Sequence, residues 1–195
     1  MKQFSILISG ANGTVGRDLV DKLSINNKIF GIYRTKNKAV RKIKNVVWIK
    51  HDLKKDFKLK LKPDPKLIIN CVATHEFSKK KKYKDYFNSN VQSLKKLASF
   101  AKKTKAKLLI NLSTITIYGD IKKNILKENY KPKNQSILGR TKFLSEKVLN
   151  GNQVNFINIR LPGVLCKSSQ NDGSRPWINS IFHKMNNNKD IIVYN

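Results

Sequence analysis

The stretch that decides the fold runs from Phe4 to Gly16, FSILISGANGTVG. Phe4 to Ser9 is a short apolar run of strand length that stops at Gly10, and Val15, Leu19, Val20 and Leu23 then recur at helical period. This reads as strand, tight turn, helix. Gly10, Gly13 and Gly16 form G-x-x-G-x-x-G at the turn, a spacing that lets backbone N–H groups at the positive end of a helix approach a pyrophosphate.

Working outward, the same alternation repeats. Lys28 to Tyr33, Val46 to Ile49 and Lys66 to Val72 read as further strands, Tyr86 to Lys103 as a helix, and Lys107 to Leu112 as the next strand. Ser136 to Leu149 is another helix and Val154 to Ile159 another strand. Strands with continuous apolar character are buried on both faces, which the parallel sheet of an α/β protein requires. The predicted architecture is a Rossmann-type doubly wound parallel sheet of six or seven strands with helices on both faces. After Pro162 the pattern loosens into a polar loop at Lys167 to Pro176, a helix near Trp177 to Met185 and a last strand at Ile191 to Tyr194. The expected division is a dinucleotide-binding domain over 1–165 and a remnant or the start of a substrate lobe, otherwise largely absent, over 166–195.

The region after the second strand reads the cofactor. In NAD binders an acidic residue about 20 positions beyond the glycines meets the ribose hydroxyls, whereas here Arg34 stands 18 residues after Gly16. A cation at that place pairs with a 2′-phosphate, with Lys36, Lys38 and Arg41 adding to the field. The expectation is NADP(H) in preference to NAD(H), held by Gly10, Asn12, Gly13, Thr14, Val15, Gly16 and Arg34.

Composition narrows the alternatives. The 195 residues suit one main domain, and no apolar run approaches the roughly 20 residues of a membrane span. There is neither a signal-peptide cleavage pattern nor a metal-ligand spacing, so a reduced cytoplasmic setting without a bound metal is expected. The formal net charge of +29 would attract polyanions. Lysine far outnumbers arginine, however, and Asn and Ile are also plentiful, a bias that resembles the codon usage of an AT-rich genome. A dedicated nucleic-acid reader is therefore not expected.

Several motifs in order resemble the extended short-chain dehydrogenase/reductases, the NAD(P)-dependent epimerase/dehydratase family acting on nucleotide sugars. Beyond GANGTVG, these are His51-Asp52-Leu53 after the third strand, Asn70-Cys71-Val72-Ala73 after the fourth, Ser113-Thr114-Ile115-Thr116-Ile117-Tyr118-Gly119, and Arg160-Leu161-Pro162-Gly163-Val164. The resemblance implies that Asp52 and Leu53 lie beside the adenine and that Val72 and Ala73 flank the cofactor. It also implies Thr114 and Lys142 as catalytic residues, Lys142 holding the ribose as well, and a dimer through the helices at 86–103 and 136–149. The family moves its proton with a Tyr one helical turn before the Lys. In Leu138-Gly139-Arg140-Thr141-Lys142 that position holds Leu138, which has no proton to give. Ile115 and Thr116 replace the carboxylates that dehydratases place after the Ser/Thr. The reading is an epimerase- or reductase-type protein for a nucleotide sugar, in the context of surface polysaccharide biosynthesis, with impaired catalysis. The alternative is a non-catalytic NADP(H)-binding sensor or assembly subunit.

Overall fold

The structure, a computed structural model, describes residues 3–57, 59–74, 82–122, 125–151, 153–164 and 176–191. Six strands form one sheet: β1 (Ser5–Ser9), β2 (Lys28–Tyr33), β3 (Val46–Lys50), β4 (Leu67–Asn70), β5 (Leu108–Thr114) and β6 (Phe156–Leu161). All neighbouring pairs are parallel, in the order β3-β2-β1-β4-β5-β6. The order reverses beside β1, and this switch point opens a crevice at the carboxyl ends of the strands.

Helices cover both faces. On one, α1 (Thr14–Leu23) sets Val20 against Ile6, Ile8, Ile29 and Ile69. On the other, α3 (Ser93–Lys103) and α4 (Ile137–Asn150) bring Leu94, Leu97, Phe100 and Leu149 onto Leu7, Phe30, Ile68 and Leu109. Each fully buried aliphatic side chain contributes on the order of 1.5–3 kcal/mol, so the central strands are anchored from both sides. The helix expected from Tyr86 starts earlier. A short α2 (Tyr83–Tyr86) runs through a π-helical turn at Phe87–Gln92 into α3. Helical periodicity cannot report such a widened turn, because it inserts one residue without changing the apolar character of the face.

The other boundaries moved by a residue or two. Lys66, Cys71 and Val72 fall outside β4, Ser136 is the N-cap of α4, and β6 starts at Phe156. The last helix, α5, spans Pro176–Asn186. The polar loop expected at 167–176 lies outside the described residues up to 175, as does the last strand beyond Ile191.

Polar side chains also cross the sheet. Ser9, Asn70, Asn111 and Asn158 share one register row. Ser9 Oγ donates to Asn70 Oδ1 (2.7 Å), Asn70 Nδ2 to Asn111 Oδ1 (2.9 Å), and Asn111 Nδ2 to Asn158 Oδ1 (2.9 Å). Every donor in this ladder points towards β6, beneath the crevice.

Candidate functional site

At the crevice, β1 gives way to the glycine turn. Gly10 has φ +66, the left-handed region that favours glycine, and a Cβ there would come within 3.2 Å of the Cys71 carbonyl and the Val72 nitrogen. A Cβ on Gly16 would sit 2.1 Å from the Gly10 oxygen. The turn is thus pressed against the segment that follows β4 and against its own helix. Gly13, the N-cap of α1, offers no side-chain cap, and the first turn carries no acid. The positive end of the helix dipole therefore faces the crevice uncompensated by a carboxylate.

The turn is tied to the loop after β2. Asn12 Nδ2 donates to the Thr35 carbonyl (2.7 Å), and Asn37 Nδ2 donates to the Asn12 carbonyl (3.0 Å). This holds Arg34 at the rim, exposed and, among the described residues, without a carboxylate partner. Arg41 does not reinforce it as expected. Its guanidinium is engaged by Asp21 (2.8 Å), and neither Arg41, Lys36 nor Lys38 lines the cavity. After β3, Asp52 Oδ1 accepts the Lys54 N–H (3.0 Å), and burial pushes the neighbouring His51 below its usual value despite the Asp52 charge.

The far end of the crevice is built on α4. Ser136 caps it by accepting the Gly139 N–H (3.2 Å). Gly139 lies so close to the turn after β5 that a Cβ would be 2.2 Å from the Thr116 oxygen. That contact brings Leu138 and Thr114 to the same cavity wall. Thr114 Oγ1 accepts from both the N–H and the hydroxyl of Thr116 (3.2 Å each), which leaves its own proton free to donate. Lys142, 4% exposed, donates to the Leu112 carbonyl (2.9 Å) and the Val72 carbonyl (3.2 Å), clamping the ends of β5 and β4. Burial pushes its ammonium down to about 8, partly opposed by Cys71 and Glu146. One turn on, Glu146 binds Arg160 at 2.8–3.2 Å, an attachment that holds the guanidinium above its usual value.

Fourteen of the residues singled out from the sequence line one cavity of about 750 Å³: Gly10, Asn12, Gly13, Thr14, Val15, Gly16, Arg34, Asp52, Leu53, Val72, Ala73, Thr114, Leu138 and Lys142. Tyr118 and Tyr130 line a separate, smaller one of about 260 Å³. Tyr118 accepts from Arg160 Nη1 (2.7 Å) and packs edge-on against Tyr130. The sequence reading missed the π-helical turn. Its Asn90 accepts the Thr74 N–H (3.1 Å) and donates to Thr141 Oγ1 (2.9 Å), and Ser89 accepts the Thr74 hydroxyl (2.8 Å). The available signal was a pair of polar residues on an otherwise apolar helix face. Among the described residues, no group of three or more His, Cys, Asp or Glu side chains is placed to hold a metal. Nor is any described helix long and apolar enough to cross a membrane.

Residues 6–195 match the NAD dependent epimerase/dehydratase family, and the chain belongs to that family. Its fold is similar to the Bordetella bronchiseptica enzyme WbmG in complex with NAD, with TM-score 0.82 and 17% identity over 98% of this chain and 62% of that one. It is also similar to a UDP-glucuronic acid 4-epimerase from Bacillus cereus in complex with NAD, with TM-score 0.79 and 19% identity over 97% and 66%. A third is the UDP-N-acetylglucosamine 4-epimerase from Methanobrevibacter ruminantium M1 in complex with UDP-N-acetylmuramic acid, with TM-score 0.79 and 20% identity over 100% and 66%. The chain thus spans about two thirds of the length of these proteins. No curated protein matches it.

Proposed function

We propose that the chain binds NADP(H), in preference to NAD(H), in the large cavity and is of the epimerase or reductase type acting on a nucleotide sugar, with proton transfer weakened at Leu138. The observation that carries this is the assembly of Thr114, Leu138, Lys142 and the glycine cradle around one cavity; by the family resemblance, Leu138 stands at the position of the phenol. The cradle fits a dinucleotide. A side chain at Gly16 has no room, and the uncapped start of α1 suits a pyrophosphate. Arg34 would meet the 2′-phosphate, Asp52 and Leu53 the adenosine end, Val72 and Ala73 the middle, and Lys142 the nicotinamide ribose. The bound cofactor would supply hydride exchange.

The chain's own residues do the rest. Thr114 offers a hydroxyl proton to a substrate oxygen, Lys142 fixes the strand ends with its ammonium, and Leu138 keeps water from that wall without moving a proton. NAD and UDP-sugar ligands in the compared proteins support the cofactor and substrate classes. Residues 1–165 form the cofactor domain and 166–195 a remnant or the start of a substrate lobe in this reading, with self-association through the helices at 86–103 and 136–149.

The test is turnover of UDP-sugars by the protein and by its Leu138→Tyr variant. General acid/base groups contribute about 10²–10⁴-fold, so the variant should gain by that order. Robust turnover by the unaltered protein would show that another proton donor exists. If both proteins bind cofactor and neither turns over, the second reading gains: a non-catalytic NADP(H)-binding sensor or assembly subunit, which Leu138 itself favours.

A further inference from the structure

The end of the sheet opposite the cavity carries a concentration of cations that cofactor binding does not use. Lys28 pairs in register with Ser5, and the backbone bonds from Lys66 N to Ser5 O (2.9 Å) and from Lys107 N to Lys66 O (2.8 Å) continue the same row. Three lysines thus stand at the starts of β2, β4 and β5, in a row with Ser5 of β1, on strands spaced about 4.8 Å apart. Lys66 and Lys107 are direct neighbours in the row, and like charges this close repel one another.

More lysines close around the row. Lys28 Nζ donates to the Lys62 carbonyl (2.9 Å), which brings the 60–62 loop and its exposed Lys62 to the row, and Lys103 is exposed in the last turn of α3. Lys105 follows with φ +49, a left-handed position after a helix that usually holds glycine. The ion pairs Arg41–Asp21, Lys96–Asp56 and Arg160–Glu146 among the described residues involve none of these lysines.

Two large apolar side chains project at the same end. Phe4 is 49% exposed although its backbone is pinned, its N–H donating to Asn27 Oδ1 (3.1 Å) and its carbonyl accepting the Lys28 N–H (2.9 Å). Ile25 is 69% exposed in the turn after α1, where Asn45 holds the preceding Ser24 carbonyl (3.1 Å).

We infer that this end of the sheet docks on an anionic phospholipid bilayer, with the lysines at the headgroups and Phe4 and Ile25 entering the interface. Unpaired cations around protruding apolar side chains are what a peripheral membrane surface offers. Nucleic acid is the lesser fit. Its phosphates are read best by bidentate arginine and its bases by aromatic rings, whereas the cations here are lysines and Ile25 has no ring to stack. Docking in this pose leaves the cavity mouth, at the opposite strand ends, open to soluble ligands. The inference stands independently of what the cavity binds.

The test is co-sedimentation of the full chain with phosphatidylglycerol-containing vesicles and with pure phosphatidylcholine vesicles. Binding is expected to the anionic vesicles only, weakening as salt rises. Each lysine at such a surface strengthens partitioning about fivefold, so combining Lys66→Glu, Lys103→Glu and Lys107→Glu should weaken it roughly a hundredfold or more. The corresponding Lys→Gln triple should give an intermediate loss, with thermal melting verifying that both triples fold. Lys84→Glu, Lys95→Glu and Lys127→Glu together make the same change in net charge elsewhere and should weaken binding far less. Phe4→Ser with Ile25→Ser should leave a weaker and more salt-sensitive association. Failure to bind anionic vesicles, or equal loss in the two charge-reversed triples, overturns the inference. So does tighter binding to poly(U) that is lost with the same Lys66, Lys103 and Lys107 substitutions, which would assign the surface to nucleic acid.

Discussion

Lys142 is a cation held in the protein interior, and its burial makes stability depend on pH in a direction opposite to that of a lysine held in a salt bridge. The lysine titrates near 10.5 when unfolded and is pushed down to about 8 in the folded chain, chiefly by burial. Below about pH 8 both states carry the proton and the folded state bears the full cost of the buried charge. Between about 8 and 10.5 the folded state has released a proton that the unfolded state still holds, so stability rises with pH and the cost is gone above that window. The whole difference corresponds to roughly 3 kcal/mol. From pH 7 to pH 9.5 roughly 2 kcal/mol of it should be recovered, equivalent to about 4–8 °C in melting temperature for a chain of this size. Other lysines and the net charge also respond to pH, so the measurement is the difference between the unaltered protein and Lys142→Met in thermal melts across that range. Loss of the donor to Val72 and Leu112 lowers the variant's stability by an amount that does not vary with pH; only the slope reports the ammonium. Parallel melting curves for the two proteins would refute the argument.

Arg34→Asp should erase or reverse a preference for NADPH over NADH that charge-assisted contact sets at roughly ten- to a hundredfold, read by fluorescence titration with the two cofactors; equal affinities in the unaltered protein would remove Arg34 from that role. Gly139→Ala would gain about 1 kcal/mol from helix propensity alone. Because the added methyl meets the Thr116 carbonyl, a net loss of about 1–3 kcal/mol in chemical denaturation is expected instead. A stabilised variant would show that α4 yields easily at that contact. Self-association through α3 and α4 should strengthen with added salt, since exposed Lys95, Lys102 and Lys103 must approach their counterparts; sedimentation showing only monomer at high concentration and high salt would exclude it.

The fold was legible because each element carried its own local signal. Apolar runs such as LIIN before Cys71 and LLIN before Leu112 could only be strands buried on both faces, and the glycines fixed where the first one turned. Leu138 was legible for the same reason, as a mismatch inside an otherwise recognisable helix. The relations between distant segments could not be read in this way. Nothing near Gly139 in sequence announces the Thr116 carbonyl, and the pairing of Arg41 with Asp21 joins the loop after β2 to helix α1, whose approach depends on the completed sheet. The π-helical turn escaped because its purpose, presenting Asn90 to both Thr74 and Thr141, concerns partners 16 and 51 residues away.

The Ser9–Asn70–Asn111–Asn158 ladder bears on how this chain avoids misassembly. Its strands are chemically close to interchangeable: LIIN and LLIN would satisfy each other's neighbours almost equally well, and apolar burial barely distinguishes one lateral alignment from the next. Sliding a strand by a single residue would turn its amide to the opposite layer and strand the neighbouring amides among leucines and isoleucines, at about 1–3 kcal/mol for each buried group left unbonded. The ladder is indifferent to which strand lies next to which, a choice left to the crossover helices and their lengths. What it forbids is slippage, and it does so for partners 41 to 61 residues apart, whose encounter is among the slower events in folding such a topology. Four small polar residues thus give a repetitive core one alignment that is clearly deeper than its competitors.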